Sequence, residues 1–200
     1  DTENKVADLI KKHGGSRVLV VYGGGSAQKS GLLDRIYARL TEGGLQFQSI
    51  GGVKPNPTVE LARQGVMQAL AMKADFILAV GGGSVIDTAK GIAHGNANPG
   101  IDIWDFWTVK ASLRRSTPVG VVLTIPAAGS ETSASAVLTN TEIGQKRGLS
   151  SEYNRPAFAI LNPELTFTLP VYQVACGITD ILMHTLDRYF VPEEDNETTD

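Results

Sequence analysis

A single cysteine, Cys176, rules out an internal disulfide, and the composition suits a reducing compartment such as the cytoplasm. Aromatic residues make up 6% of the chain, too few for the stacking platforms that hold nucleic-acid bases. Neither sign of charge dominates. The 18 Lys and Arg residues are scattered and stand against 21 Asp and Glu, so there is no basic footprint for nucleic acid or an anionic membrane surface. No apolar run approaches the roughly 20 residues that span a bilayer. The opening stretch DTENKVADLIKKHGG is charged and amphipathic, unlike a secretory signal. The expectation is a soluble cytoplasmic α/β protein with neither nucleic acid nor membrane as partner.

Glycine is plentiful: the sequence holds 22, clustered just after apolar runs, where a missing side chain lets backbone approach a ligand. RVLVVY (17–22) is a continuous β-branched run suited to a strand buried on both faces, and it ends in GGGS (23–26). Leu32, Leu33, Ile36 and Leu40 then recur at helical spacing. LQFQSI (45–50) alternates like a strand, the loop GGVKPNP (51–57) follows, and a helix is predicted over about 58–73, weakened by Gly65. DFILAV (75–80) repeats the first pattern, with a second GGGS (81–84) and a helix through Val85, Ile86, Ala89 and Ile92.

Residues 96–117 read as a long loop carrying Trp104, Phe106 and Trp107. PVGVVLTI (118–125), AVLTN (136–140) and PAFAIL (156–161) read as strands. TLP (168–170) marks a boundary before a helix over 171–190, with a break expected near Gly177. Residues 191–200 are polar and offer nothing to pack. Strand, glycine turn and helix thus alternate as in a parallel sheet with helices on both faces, and the carboxyl ends of the strands share one edge. The last helix looks like the opening of a second domain.

A strand that ends in glycines and runs into a helix presents free N–H groups and the positive end of the helix dipole to an anion. Gly82, Gly83 and Ser84 therefore make a pyrophosphate cradle, although neither turn is the GxGxxG fingerprint. Around the first turn there is no carboxylate before Asp34, whereas Ser26 and Lys29 can meet a 2′-phosphate. That absence favours NADP(H), with NAD(H) the other option.

GGGSVIDTAKGIA (81–93), VKPNPTVE (53–60), IPAAGSETS (125–133) and GITDILMHTLDRYF (177–190), in that spacing, resemble the iron-containing, metal-dependent alcohol dehydrogenases. The similarity is to their butanol dehydrogenase and NADPH-dependent aldehyde reductase branch. The resemblance implies a Rossmann-like dinucleotide-binding domain over 1–168, followed at 169–200 by the first helix of an all-helical metal-binding domain. It places Gly24, Gly25 and Ser26 at the adenosine ribose and its phosphate, and Gly82, Gly83 and Ser84 at the pyrophosphate with Asp87 close by. Thr124 and Ser133 would line the cofactor groove, Lys146 would reach the ribose region, and Leu165 would pack near it.

Asp180 and His184 match two of the family's ligands for a divalent metal, iron or zinc. Their spacing is chemically sensible, since residues four apart share a helix face. Asp187 follows where the family carries an acid. The family's remaining ligands are histidines of the later helical domain. Here His13 reads as exposed and His94 as an ordinary helix residue, so the site is half built. Cys176 reads as a small apolar packing residue.

The implied reaction is hydride transfer between the nicotinamide and an alcohol or aldehyde carbon, with the metal as Lewis acid. No residue is assigned as a catalytic general base. A non-catalytic nucleotide-binding module and a lyase of the dehydroquinate-synthase type are the competing readings. An apolar face left bare on the last helix would favour a homo-oligomer.

Overall fold

The β-branched runs become strands of one parallel sheet, and the glycine turns feed helices that cover it. The computed structural model describes residues 2–190. In chain order the elements are α1 (Val6–Lys12), β1 (Arg17–Gly23), the single turn α2 (Ser26–Lys29), α3 (Leu32–Glu42), β2 (Gln46–Val53) and α4 (Val59–Ala71). Then come β3 (Phe76–Gly81), α5 (Gly83–Ala97), α6 (Ile103–Trp107), β4 (Val119–Leu123), β5 (Ser135–Asn140), β6 (Gln145–Ser150), β7 (Phe158–Ile160) and α7 (Val171–Tyr189).

The main sheet runs β2-β1-β3-β4-β7, all parallel, so the α/β, Rossmann-like expectation holds. Alternate residues of each central strand serve opposite cores. Leu19, Val21, Ile77, Ala79 and Val121 pack toward α4, α5 and α6, while Val18, Val20, Phe76, Leu78 and Val80 pack toward α1 and α3. Each such Val, Leu, Ile or Phe side chain, fully withdrawn from water, contributes roughly 1.5–3 kcal/mol. The parallel arrangement puts the ends of β1, β3 and β4, and with them both glycine turns, on one edge.

Three local expectations change. The stretch 96–117 is not all loop: Asp102 caps α6 by accepting from the Trp104 N–H, and Ile103, Trp104, Phe106 and Trp107 are buried against α4 and α5. Aromatic bulk here fills the sheet's flank, a packing signal that helical periodicity over so short a run does not reveal. Gly65 does not weaken α4; a Cβ there would sit 2.3 Å from Ile92 Cδ1, so the glycine lets α4 and α5 come together. An antiparallel hairpin, β5–β6, stands apart from the main sheet. β6, with the polar sequence QKRGLS, escaped the reading because almost none of it is buried.

Candidate functional site

The first glycine turn closes β1 and opens α2 at Ser26, with Gly25 at φ 155°, a backbone conformation that favours glycine. Beside it Ser26 and Ser30 meet Arg35 of α3, Thr124 from the end of β4, and residues 164–170, enclosing a cavity of about 250 Å3. Ser26, Thr124 and Leu165 are thus brought together, although they lie far apart in sequence. The second turn leads into α5, whose N-cap is Gly82 and whose first N–H groups no side chain caps.

Asp87, one turn further along α5, is already occupied. Its Oδ1 accepts from Ser130 Oγ at 2.6 Å and its Oδ2 accepts from the Val137 N–H at 3.0 Å. Burial raises its carboxyl above the usual range, partly opposed by those hydrogen bonds and by the charges of Lys90 and Lys146. Lys90 is fully buried and donates to the carbonyls of Ser130 (2.8 Å), Ser133 (3.3 Å) and Ser135 (2.7 Å), with Ser130 Oγ at 3.1 Å. Burial pushes its amine down to about 8 against the pull of Asp87 and Glu131.

His94 completes the stripe, and the expectation of an ordinary helix residue is corrected: its ring is wholly enclosed. Asn154 spends both amide hydrogens on the Ala134 and Leu149 carbonyls, so its Oδ1 accepts from His94 Nε2 at 2.8 Å. Nδ1 is then the acceptor facing Ser116 Oγ at 2.9 Å. Burial lowers this imidazole to about 4. Asp87, Lys90 and His94 share one face of α5. They pin residues 130–137 and the hairpin to the helix that opens at the second glycine turn. Three ionisable residues at helical spacing, Asp87, Lys90 and His94, were the available signal.

We predict that Lys90→Met lowers stability by about 2–3 kcal/mol, because three carbonyls and a hydroxyl lose their buried donor. Urea denaturation measures it, and an unchanged midpoint would mean the 130–135 segment holds itself.

Of the other sequence-derived positions, Ser133 and His184 line a second cavity of about 410 Å3 with Thr132, Arg155 and Arg188. Lys146 sits on the hairpin and donates to Asn56 Oδ1 at 2.8 Å, tying β6 to the 53–60 loop. Gly24 lies exposed in the first turn.

α7 runs unbroken through Gly177, contrary to expectation. A Cβ there would lie 2.7 Å from the Pro126 carbonyl oxygen, so glycine marks a close approach to the 125–126 segment rather than a break. Gly177 is the only buried residue of α7, and Cys176 is exposed rather than packed. Ile178, Ile181 and Leu182 stay 47–62% exposed.

Asp180 Oδ1 and His184 Nε2 are 3.8 Å apart, both about half exposed. That separation and the oxygen–nitrogen donor set suit a shared divalent ion as part of a ligand set. Among the described residues no group of three or more His, Cys, Asp or Glu is placed to hold a metal.

The profile described as "Iron-containing alcohol dehydrogenase" matches residues 1–163. The chain belongs to that family. NADH-dependent butanol dehydrogenase A of Clostridium acetobutylicum is 40% identical over 185 residues, covering 92% of this chain and 47% of that protein. NADPH-dependent aldehyde reductase YqhD of Escherichia coli is also 40% identical, over 92% of this chain and 48% of its own length. A crystal structure titled NADH-dependent butanol dehydrogenase A, from Thermotoga maritima, superimposes with a TM-score of 0.91 at 39% identity, covering 94% of this chain and 47% of that one. The chain thus spans about half the length of the iron-containing alcohol dehydrogenases it matches. No helix of the described residues is long and apolar enough to cross a membrane.

Proposed function

We propose that this chain is the cofactor-binding portion of an NAD(P)H-dependent oxidoreductase acting on alcohols and aldehydes. The observation that carries the reading is the convergence of Ser26, Thr124 and Leu165 on one cavity beside the first glycine turn. In this reading that cavity takes the adenosine end, and Gly82, Gly83 and Ser84 take the pyrophosphate at the N-terminus of α5. Asp87 supports the groove from within: bonded to Ser130 and Val137, it fixes the segment that carries Ser133.

Asp180 and His184 would hold a divalent metal, whose contribution when bound is Lewis-acid polarisation of a substrate oxygen. The tasks of this chain's own groups are positional. α7 approaches Pro126 at Gly177, which sets the ligand pair next to the 127–134 segment. Relatives named for butanol dehydrogenation and aldehyde reduction support small alcohols and aldehydes as the substrate class.

A polypeptide of these 200 residues is expected to bind NADH or NADPH yet show no metal-dependent turnover. Calorimetry with each dinucleotide tests the first half; butanal with NADPH or NADH and added ferrous or zinc ion tests the second. No binding of either dinucleotide sinks the cofactor reading. Chelator-sensitive turnover would show that a second copy completes the donor set.

A further inference from the structure

The cavity of about 410 Å3 between α7 and residues 127–134 is lined by His184 of the proposed metal pair. Its ionisable lining is basic throughout. Beside the imidazole stand the guanidiniums of Arg155 and Arg188, and no lining residue is a carboxylate. Arg155 is already spent: its Nε and Nη2 donate to the Glu152 carboxylate at 2.6 and 3.3 Å, and its Nη1 donates to the Thr132 carbonyl at 2.9 Å. The hydroxyls of Thr132, Ser133 and Thr185 likewise donate to backbone carbonyls. Arg188 is exposed and makes no hydrogen bond or ion pair with the described residues. Its sequence neighbour Asp187 lines a different cavity, with Asp180. Arg188 follows His184 by four residues, so the two share a helix face and are about 6 Å apart along its axis.

We propose that Arg188 makes this chain select short aldehydes and alcohols that carry a carboxylate at the end remote from the reacting carbon. An unspent guanidinium presents a planar fork of donors that matches two carboxylate oxygens. With the carboxylate on Arg188, the reacting oxygen lies toward His184, one helical turn away, a span that suits a chain of about four carbons. The facing segment leaves room for it, since residues 127–129 are Ala-Ala-Gly. Reduction takes a hydride from the nicotinamide, which is thereby oxidised, and a proton from water; an ω-oxo carboxylate becomes an ω-hydroxy carboxylate. The inference rests on the dehydrogenase reading and on Asp180 and His184 as metal ligands.

The test is amide chemical-shift titration of the metal-free chain with 4-hydroxybutanoate and with 1-butanol, after saturation with NADH. Leaving out the metal prevents the carboxylate from binding there instead of at Arg188. 4-Hydroxybutanoate should move the amides of Gly129, Thr132 and Thr185, and should bind more tightly than 1-butanol. Arg188→Gln should weaken the acid by about three- to tenfold, the size of one charge–charge contact near a surface, and leave 1-butanol within about twofold. Arg188→Lys should restore part of the loss, and higher salt should shrink the preference. Arg114 is exposed and outside this cavity, so Arg114→Gln removes the same charge and should change nothing. No preference for the acid, shifts confined to other amides, an unchanged Arg188→Gln, or an equal loss in Arg114→Gln overturns the proposal. Failure of NADH to bind at the outset overturns the cofactor reading itself, a distinct result.

Discussion

Gly83→Val is expected to lose dinucleotide binding by at least about 100-fold while keeping the circular dichroism of the parent and a cooperative urea transition. Gly83 is the first residue of α5 and is exposed, and a Cβ there would meet nothing closer than Ser130 Cβ at 4.0 Å. The fold therefore has room for the side chain. In the proposed reading, the space it would take is where the pyrophosphate comes within hydrogen-bond reach of the helix N–H groups. Its neighbour is a poor choice for the same experiment. A Cβ on Gly82 would lie 2.3 Å from Ile125 Cγ2, so Gly82→Val would push the 125–126 segment and mix a folding defect with a binding one. Comparing the two variants separates the causes. Gly83→Val should titrate flat with NADH and NADPH at an unfolding midpoint near that of the parent. Normal binding by a folded Gly83→Val would place the pyrophosphate away from α5.

The residues legible in the sequence are those whose signal is local. β1, β3 and β4 are continuous apolar runs bounded by glycine or proline, and α3 has strict helical spacing, so each was visible alone. The pairs that shape the cavities are not local. Asn162 donates to Glu3 although 159 residues separate them, and no spacing rule connects the two. Lys90 gave no signal of its own because its acceptors are carbonyls of residues 130–135, and carbonyls carry no sequence signature. Gly65 and Gly177 misled in a common way. Propensity treats glycine as a helix breaker, whereas both sites use it for a close approach by a neighbouring segment. Asp180 and His184 stood out because four-residue spacing on a helix is itself the geometric fact that matters.

Acid is expected to unfold the parent chain through His94 more than through any single surface group. The imidazole titrates at about 4 in the folded chain and at about 6.5 when unfolded, because burial excludes the charged form. Protonating Nδ1 would also set a donor against Ser116 Oγ, where the neutral ring accepts. Between these two values the unfolded chain binds the extra proton. Stability is therefore full above about pH 6.5 and falls as pH drops toward 4, by on the order of 3 kcal/mol. The loss should appear first where His94 is the link, in the hairpin and in the 134–154 segment that Asn154 ties to α5. His94→Gln supplies the comparison, since an amide keeps some hydrogen bonding and does not titrate. Its urea midpoint should be lower than the parent's at pH 7.5, and the gap should narrow as pH falls to 4.5. Hydrogen exchange in β5 and β6 reports the same event locally. If parent and variant lose stability in parallel across that range, His94 does not carry the acid sensitivity, and protonation of the surface carboxylates must account for it.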